Sequence, residues 1–255
     1  MNVRSYPRDL RRFYIENTEV ASPYPTIRGI QARHIRTVLH LKAGDSIILF
    51  DGTGSQYRAT IRETLQDCVR VQIEEKLHPI TESPLKVTIG QGIIKYKKMD
   101  WVIQKATELG ITAIIPFISS RTIPMWKEDK RAKKIERWRS IALESLKQCG
   151  RAVPPHIENI IHFDQILKRP EASCLKIILW ENAARDRLPD VLKSHSDTKK
   201  IFALIGPEGG FTEEEVRKAS MHKFIPVKMG DRLLRAETAA MAFMSIVQYQ
   251  LGDLR

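Results

Sequence analysis

From residue 85 onward, short apolar runs alternate with segments of helical periodicity. The runs are typical of strands, whereas helical spacing covers 98–109, 128–148 and 236–251; the runs lie at 85–91, 111–118, 157–161, 175–180, 201–206 and 224–229. Strands that alternate with helices pack into a largely parallel sheet with helices on its faces. The sequence therefore predicts an α/β domain. In open sheets of this kind a ligand binds beyond the carboxyl ends of the strands.

The part before Pro84 has a different pattern. Apolar and polar residues alternate in 46–50, 56–63 and 68–77, with an Asp-Gly-Thr-Gly turn at 51–54. Together with a strand at 10–15 and a helix over 28–41, this pattern is typical of a small β-barrel or meander. The two prolines in 78–84 indicate a linker. We therefore expect two domains, 1–80 and 81–255.

The charge distribution bears on the partner. The chain has 42 basic and 30 acidic residues, and 83–200 alone holds 23 basic against 13 acidic. A local basic surplus suits a polyphosphate partner such as RNA, although a solvated surface would also account for it.

The sequence argues against membrane, secreted, disulfide-rich and metal-binding proteins. No apolar run reaches 18 residues and the N-terminus lacks a signal-peptide pattern, so we expect a cytoplasmic protein with no membrane association. The cysteines are odd in number and far apart in sequence, at Cys68, Cys149 and Cys174, so we expect no disulfide framework. The histidines show no zinc-ligand spacing, so we expect no metal.

The first candidate site follows the apolar run 201–205. Gly206-Pro207-Glu208-Gly209-Gly210 forms a glycine-rich turn, and Thr212 with Glu215 predicts a capping box for the next helix. Glycines allow close approach of the backbone to a ligand. The order is neither the dinucleotide fingerprint nor a P-loop. A ligand site and a plain strand-to-helix turn both remain open.

The second candidate runs from Met229 to Ala240. A glycine turn again leads into a helix, and Arg232, Arg235 and Glu237 crowd a loop with apolar flanks. Charges at the start of a buried helix need partners or a ligand. An Arg–Glu pair that caps the helix is the alternative interpretation. Helix 128–148 adds a basic face that is either solvated or in contact with phosphates.

Together these segments resemble a known family. GPEGGFTEEE (206–215), MGDRLLRAETAA (229–240), QKATELG (104–110), SSRT (119–122), QCGR (148–151) and FDGTG (50–54) resemble the signature segments of the bacterial ribosomal RNA small subunit methyltransferase E family, of the SPOUT class. The resemblance covers nearly the whole chain. Lys147 and His40 depart from it, since many relatives have Glu and Arg at these positions.

The resemblance implies a fold and an activity. The fold would be an N-terminal PUA-like β-barrel that binds RNA and a C-terminal SPOUT α/β domain with a trefoil knot, which binds S-adenosylmethionine (SAM) and forms a homodimer. The activity would be methyl transfer from SAM to N3 of a uridine in 16S rRNA, on the small ribosomal subunit.

The resemblance also implies which residues serve each role. The expected SAM site comprises Leu179, Trp180, Glu181, Leu204, Gly206, Pro207, Glu208, Gly209, Gly210, Met229, Gly230, Leu233, Leu234, Arg235, Thr238 and Ala239. We expect Arg235, with Arg121 or Arg151 from across the dimer, to stabilise the uracil oxygens, and Glu208 or Glu237 to assist removal of the N3 proton. The expected RNA-binding residues are Arg11, Arg28, Arg33, Arg36, Lys97, Lys98, Lys130 and Lys134.

Two further interpretations stay open. Another SPOUT reaction, on a ribose 2′-oxygen or a different base, would use the same SAM loops. A non-catalytic RNA-binding factor in ribosome assembly would share the basic surface, and it would have no use for SAM. An α/β oxidoreductase is disfavoured because the dinucleotide fingerprint is missing.

Overall fold

The computed structural model describes residues 10–78, 82–95, 97–123, 126, 128–183 and 186–254. Contacts divide the chain into two compact units. The first comprises Met1–Glu82 and Leu146–Pro154, and the second comprises Ser83–Ser145 and Pro155–Arg255. The sequence pattern gave no sign that the segment 146–154 belongs with the N-terminal unit.

The first unit is a five-stranded sheet with two short helices. In chain order it contains β1 (Arg12–Tyr14), α1 (Asn17–Val20), β2 (Thr26–Arg28), α2 (Gly29–Thr37), β3 (Ser46–Phe50), β4 (Gln56–Thr64) and β5 (Cys68–Leu77). The strand order is β1-β3-β4-β5-β2. The β1–β3 pair is parallel and the other pairs are antiparallel. The predicted meander is therefore present, with β1 added at its edge.

In this unit the predicted helix is shorter than expected, whereas the predicted turn at 51–54 is present. The helix expected over 28–41 ends at Thr37, because His40 adopts a positive φ of 51° that an α-helix cannot accommodate. The predicted turn at 51–54 forms, and the buried Asp51 carboxylate accepts hydrogen bonds from the Thr53 amide at 2.9 Å and the Tyr57 hydroxyl at 3.1 Å. These bonds satisfy a carboxylate that would otherwise be costly to bury.

Hydrogen bonds explain why 146–154 belongs to this unit. Arg12 donates to the carbonyls of Gly150 and Arg151 at 2.9 Å each. The Glu82 carboxylate accepts from the Arg151 guanidinium at 2.7 Å and from the amides of Ala152 and Val153 at 3.1 Å. Charge-assisted bonds of this kind are the stronger class of protein hydrogen bond.

The second unit is built on a parallel sheet. Its strands are β6 (Lys86–Gly92), β7 (Ala113–Ile118), β8 (His156–Ile157), β9 (Ile161–His162), β10 (Leu175–Leu179), β11 (Lys200–Ile205) and β12 (Ile225–Val227). Its helices are α3 (Lys97–Glu108), α4 (Glu128–Cys149, whose last turn falls in the first unit), α5 (Phe163–Ile166), α6 (Leu188–Ser194), α7 (Glu213–Met221) and α8 (Ala236–Leu251). The strand order is β12-β10-β11-β6-β7-β8, and β9 also pairs with β7. All these pairs are parallel, so the α/β prediction is confirmed.

Both faces of this sheet are covered. Along β11, Ala203 and Ile205 belong to one buried apolar cluster, whereas Phe202 and Leu204 belong to another. Burial of a large apolar side chain contributes about 2 kcal/mol, which is why central strands of parallel sheets are apolar on both sides. The carboxyl ends of β10, β11 and β12 lie at one edge of the sheet, where both candidate loops begin. The trefoil knot stays a prediction.

Candidate active site

A cavity of about 810 Å³ opens at this edge of the sheet. Its walls come from five segments: the end of β10 with the residues after it, the loop that follows β11, the loop that follows β12, the start of α8, and one side chain from the start of α3. The volume is typical of pockets that hold a small molecule or cofactor.

The loop after β11 is packed too closely for side chains at its glycines. A Cβ atom at Gly209 would lie 2.9 Å from the Cβ of Arg121, and Gly210 has a φ of +68°. Phe211 anchors the end of the loop, because its buried ring stacks on Phe117 with centroids 6.1 Å apart. These contacts fix the backbone of residues 206–211 against the cavity.

Hydrogen bonds hold both this loop and the start of the helix that follows it, and some of them come from the segment 119–122. The predicted capping box is confirmed: Thr212 Oγ1 accepts from the Glu215 amide at 3.2 Å, and the Glu215 carboxylate accepts from the Thr212 amide at 2.9 Å. Glu215, only 4% exposed, also accepts from the Ser120 amide at 2.8 Å. Arg121 donates to the carbonyl of Gly209 at 3.0 Å. The guanidinium expected to reach a substrate thus contacts the backbone of its own chain.

The loop after β12 has fewer supports. Gly230 has a φ of +93°, and a Cβ atom there would meet nothing within 4 Å. Lys228 and Asp231 form an exposed ion pair at 3.2 Å, and Lys228 lowers the pKa of the Asp231 carboxyl. Leu233 is 82% exposed at the rim of the cavity.

A charge cluster closes one side of the cavity. The Lys98 ammonium lies 3.2 Å from Glu237 Oε1 and 3.7 Å from Glu208 Oε1. Glu208 Oε1 also accepts from the Lys95 amide at 3.0 Å. The other oxygen of Glu237 is buried, and among the described residues it has no hydrogen-bond partner.

The structure brings most of the expected cofactor residues together. Two do not line the cavity: Leu204 is fully buried in β11, within an apolar cluster on one face of the sheet, and Thr238 is exposed on the first turn of α8. The lining residues are Leu179, Trp180, Glu181, Gly206, Pro207, Glu208, Gly209, Gly210, Met229, Gly230, Leu233, Leu234, Arg235 and Ala239. Glu237 contacts the cavity wall through Lys98.

Sequence reasoning missed several lining residues. Ile205 and Val227 are the last residues of their strands, and Phe211 follows the glycine turn, so a strand-end argument could have found them. Lys98 lines the cavity too, although it was expected at an RNA surface. No sequence signal separates Lys98 from its neighbour Lys97.

The remaining expected residues lie outside this cavity. Arg151 is 6% exposed and pairs with Glu82 at 2.7 Å within the first unit, so a contact with uracil would require that pair to open. The Lys134 ammonium lies 5.4 Å from the Trp126 ring centroid. The other expected RNA-binding side chains are exposed or half-buried: Arg11, Arg28, Arg33, Arg36, Lys97 and Lys130.

Metal-ligand clusters and membrane-spanning helices are both absent from the described part of the chain. Among these residues, no group of three His, Cys, Asp or Glu side chains could hold a metal ion. Within the same residues, no helix is both long enough and apolar enough to cross a membrane.

Comparison with known proteins identifies the family. Residues 81–248 match the RNA methyltransferase domain family, and residues 27–65 match the RNA methyltransferase PUA domain family. Ribosomal RNA small subunit methyltransferase E of Bacillus subtilis is 31% identical over 96% of this chain and 99% of its own.

Solved structures agree with this comparison. Ribosomal RNA small subunit methyltransferase E of Neisseria gonorrhoeae, bound to S-adenosyl methionine, is 33% identical with a TM-score of 0.87, covering 96% of this chain and 100% of its own. A protein of Legionella pneumophila in complex with the bound cofactor SAM is 32% identical with a TM-score of 0.85, covering 96% of this chain and 99% of its own. The chain therefore belongs to the ribosomal RNA small subunit methyltransferase E family.

Proposed function

We propose that this protein transfers the methyl group of SAM to N3 of a uridine in the 16S rRNA of the small ribosomal subunit. The observation that carries the proposal is the cavity at the strand ends, formed by the loops 206–211 and 229–235, in a chain whose relative of 33% identity holds SAM. The choice of N3 comes from the family resemblance.

The residues around the cavity fit SAM. Its floor is apolar where Leu179, Ile205 and Val227 end their strands, which suits the flat adenine ring. Glu181 and Glu208 in its wall supply negative charge, which suits the positively charged sulfonium and ammonium groups. When bound, SAM supplies an electrophilic methyl group on a cationic sulfur.

The protein has to handle a proton on the nucleobase. Uridine N3 is protonated at neutral pH, so its lone pair becomes available only as the proton leaves. Arg235, an exposed cation in the cavity wall, would stabilise the negative charge that develops on the uracil oxygens. Glu208 or Glu237 would receive the N3 proton. Catalysis otherwise rests on positioning the two reactants.

The RNA has to present an unpaired base. N3 lies on the Watson–Crick edge, so the target uridine must be splayed out of any helix. The exposed basic residues of both units, among them Arg28, Arg33 and Lys130, would contact phosphates and place the RNA. The fold of the assembled subunit would present such a single strand, and this substrate locates the protein in the cytoplasm.

The protein would act as a homodimer. Thr238, Ala242, Ser245 and Tyr249 form one stripe of α8 at helical spacing, and Tyr249 is 66% exposed. Small residues beside an exposed aromatic ring leave room for a second helix to approach closely, and aromatic side chains are enriched at protein interfaces. Tyr249→Lys should shift the molar mass measured by light scattering to that of a monomer, whereas the exposed Glu136→Lys should not.

A labelled-methyl assay tests the function. Purified protein and SAM are mixed with small subunits from cells that lack this gene, and the rRNA is digested to nucleosides for mass spectrometry. Label in N3-methyluridine is the expected result. Label in another nucleoside would overturn the position, and absence of both label and SAM binding would favour the non-catalytic assembly factor.

A further inference from the structure

Lys98 connects three segments of the second unit that are far apart in sequence. It lies in the first turn of α3, Glu208 lies in the loop after β11, and Glu237 lies in the first turn of α8. The Lys98 side chain is 36% exposed, whereas those of Glu208 and Glu237 are 24% and 15% exposed. Within the part of the chain that the structure describes, this ammonium group is the one charge that links the two carboxylates.

We propose that Lys98 is a positioning residue of the cofactor site, which holds Glu208 and Glu237 together across the cavity rim and thereby sets the affinity for SAM. This inference rests on the proposed function, because it assumes that SAM occupies the cavity. It replaces the expectation that Lys98 contacts RNA phosphates.

The electrostatics of the cluster support this role. Two carboxylates that approach one ammonium group would repel each other without it, and Glu237 already has a buried oxygen that lacks a hydrogen-bond partner among the described residues. Removal of the ammonium would leave Glu237 as a poorly compensated buried charge. The least costly response is for Glu237 to move toward solvent, which would draw the start of α8 and the loop before it away from the cavity.

The carboxylate contacts of Lys98, rather than its place at a helix N-terminus, favour a role other than RNA binding, since Lys97 lies in the same turn. The first turn of a helix carries a partial positive charge, which disfavours a lysine there unless carboxylates compensate it. Glu208 supplies that compensation, since it accepts from the Lys95 amide at 3.0 Å as well as facing Lys98. A phosphate would have to compete with both carboxylates for Lys98.

Lys97 is the matched control, because it is exposed on the same helical turn and was also expected to bind RNA. Isothermal titration calorimetry measures SAM affinity, and filter binding at several salt concentrations measures RNA affinity. For Lys98→Met we expect SAM affinity to fall about tenfold with no change in the salt dependence of RNA binding. For Lys97→Met we expect unchanged SAM affinity and a salt slope reduced by about 1.

A second readout needs neither SAM nor RNA. The amides of Gly210 and Ala239 donate to the carbonyls of Pro207 and Arg235 at 2.9 and 2.8 Å, so their hydrogen exchange reports on the loop 206–211 and on the first turn of α8. We expect Lys98→Met to speed exchange at both amides about fivefold, and Glu237→Gln in the same chain to restore the slow rate of Ala239, because it removes the uncompensated charge.

The outcomes separate the two proposals. Unchanged SAM affinity and exchange in Lys98→Met, with a reduced salt slope, would overturn the positioning role and assign Lys98 to RNA. Failure of the wild-type protein to bind SAM would overturn the proposed function and this inference with it, whatever the exchange rates show. If Lys98→Met does not fold, Lys98→Gln, which removes the charge but keeps a polar side chain, provides the test: a roughly tenfold lower SAM affinity supports the proposal, and near wild-type affinity contradicts it.

Discussion

The two loops that form the cavity differ in how firmly they are held. The loop 206–211 is braced by Phe211, by the Arg121 hydrogen bond and by the Glu215 network beneath it. The loop 229–235 has an exposed ion pair, an exposed leucine and open space around Gly230. One wall of the site is therefore fixed by the fold itself, whereas the other depends on what binds to it. We therefore expect substitutions in the braced loop to weaken SAM binding more than substitutions in the loop 229–235, where Arg235 should affect turnover.

Arg235→Ala should have the largest effect on turnover. The side chain of Arg235 makes no capping hydrogen bond within the described part of the chain, and its carbonyl still receives the Ala239 amide, so the backbone should remain in place. We expect kcat to fall roughly 100-fold, as for loss of one donor to a developing oxyanion, with SAM affinity within threefold of wild type. Single-turnover methyl transfer and calorimetry measure the two.

Arg217→Ala is a control for the loss of an arginine, since Arg217 is 64% exposed on α7. Its turnover should match wild type. A full rate for Arg235→Ala with SAM binding intact would disprove the uracil role of Arg235.

Gly209→Ala should weaken SAM binding about 30-fold. The new Cβ atom would lie 2.9 Å from Arg121 Cβ and 3.4 Å from its carbonyl oxygen, so the loop must shift, and a small displacement of a site has large consequences. Gly230→Ala is the comparison. There the cost is backbone strain of about 1 kcal/mol at a φ of +93°, with no clash, and the loss of affinity should be severalfold. Equal losses in calorimetry would remove the distinction between the two loops.

The sequence predicted the braced loop better than its surroundings. The capping box of Thr212 and Glu215 and the glycine turn are local patterns, because residues three apart in a helix start meet by geometry alone. The contacts of Arg121 with Gly209 and of Lys98 with Glu237 join residues 88 and 139 positions apart. Such pairs depend on the strand order, which periodicity does not contain.

The same distinction explains the fold-level results. Alternating strands and helices predicted the parallel sheet, since each element carries its own periodicity. The assignment of 146–154 to the first unit depends on Arg12 and Glu82, whose partners no local pattern reveals. The spacing of apolar residues predicted a helix as far as residue 41. The helix ends earlier because His40 has a positive φ, which residue spacing does not reveal.

Arg121→Ala tests the support of the loop 206–211 directly. If Arg121 holds the Gly209 carbonyl, its removal should raise the Kd for SAM about tenfold and lower kcat at saturating SAM less than threefold. A substrate-contacting role predicts the reverse, with kcat reduced strongly and SAM affinity unchanged. Steady-state kinetics over a range of SAM concentrations separates the two. Thr122→Ala perturbs the segment 119–122 but keeps the guanidinium of Arg121. Its Kd for SAM should therefore lie between those of wild type and Arg121→Ala.

Lys228→Met should have the smallest effect on the protein, and it tests how firmly the loop 229–235 is held. The hydrogen bond and charge of Lys228 lower the pKa of Asp231, so the ion pair stabilises the folded state above the unfolded pKa of the carboxyl and is lost as pH falls through its folded value. Lys228→Met should return the pKa of Asp231 toward its ordinary value, as followed by NMR of the carboxyl carbon. Because Asp231 is 76% exposed and solvent screens the pair, Tm at neutral pH should not change measurably. A clear drop in Tm would mean that this pair holds the loop as firmly as Arg121 and Glu215 hold the other, and the contrast between the two walls of the cavity would then disappear.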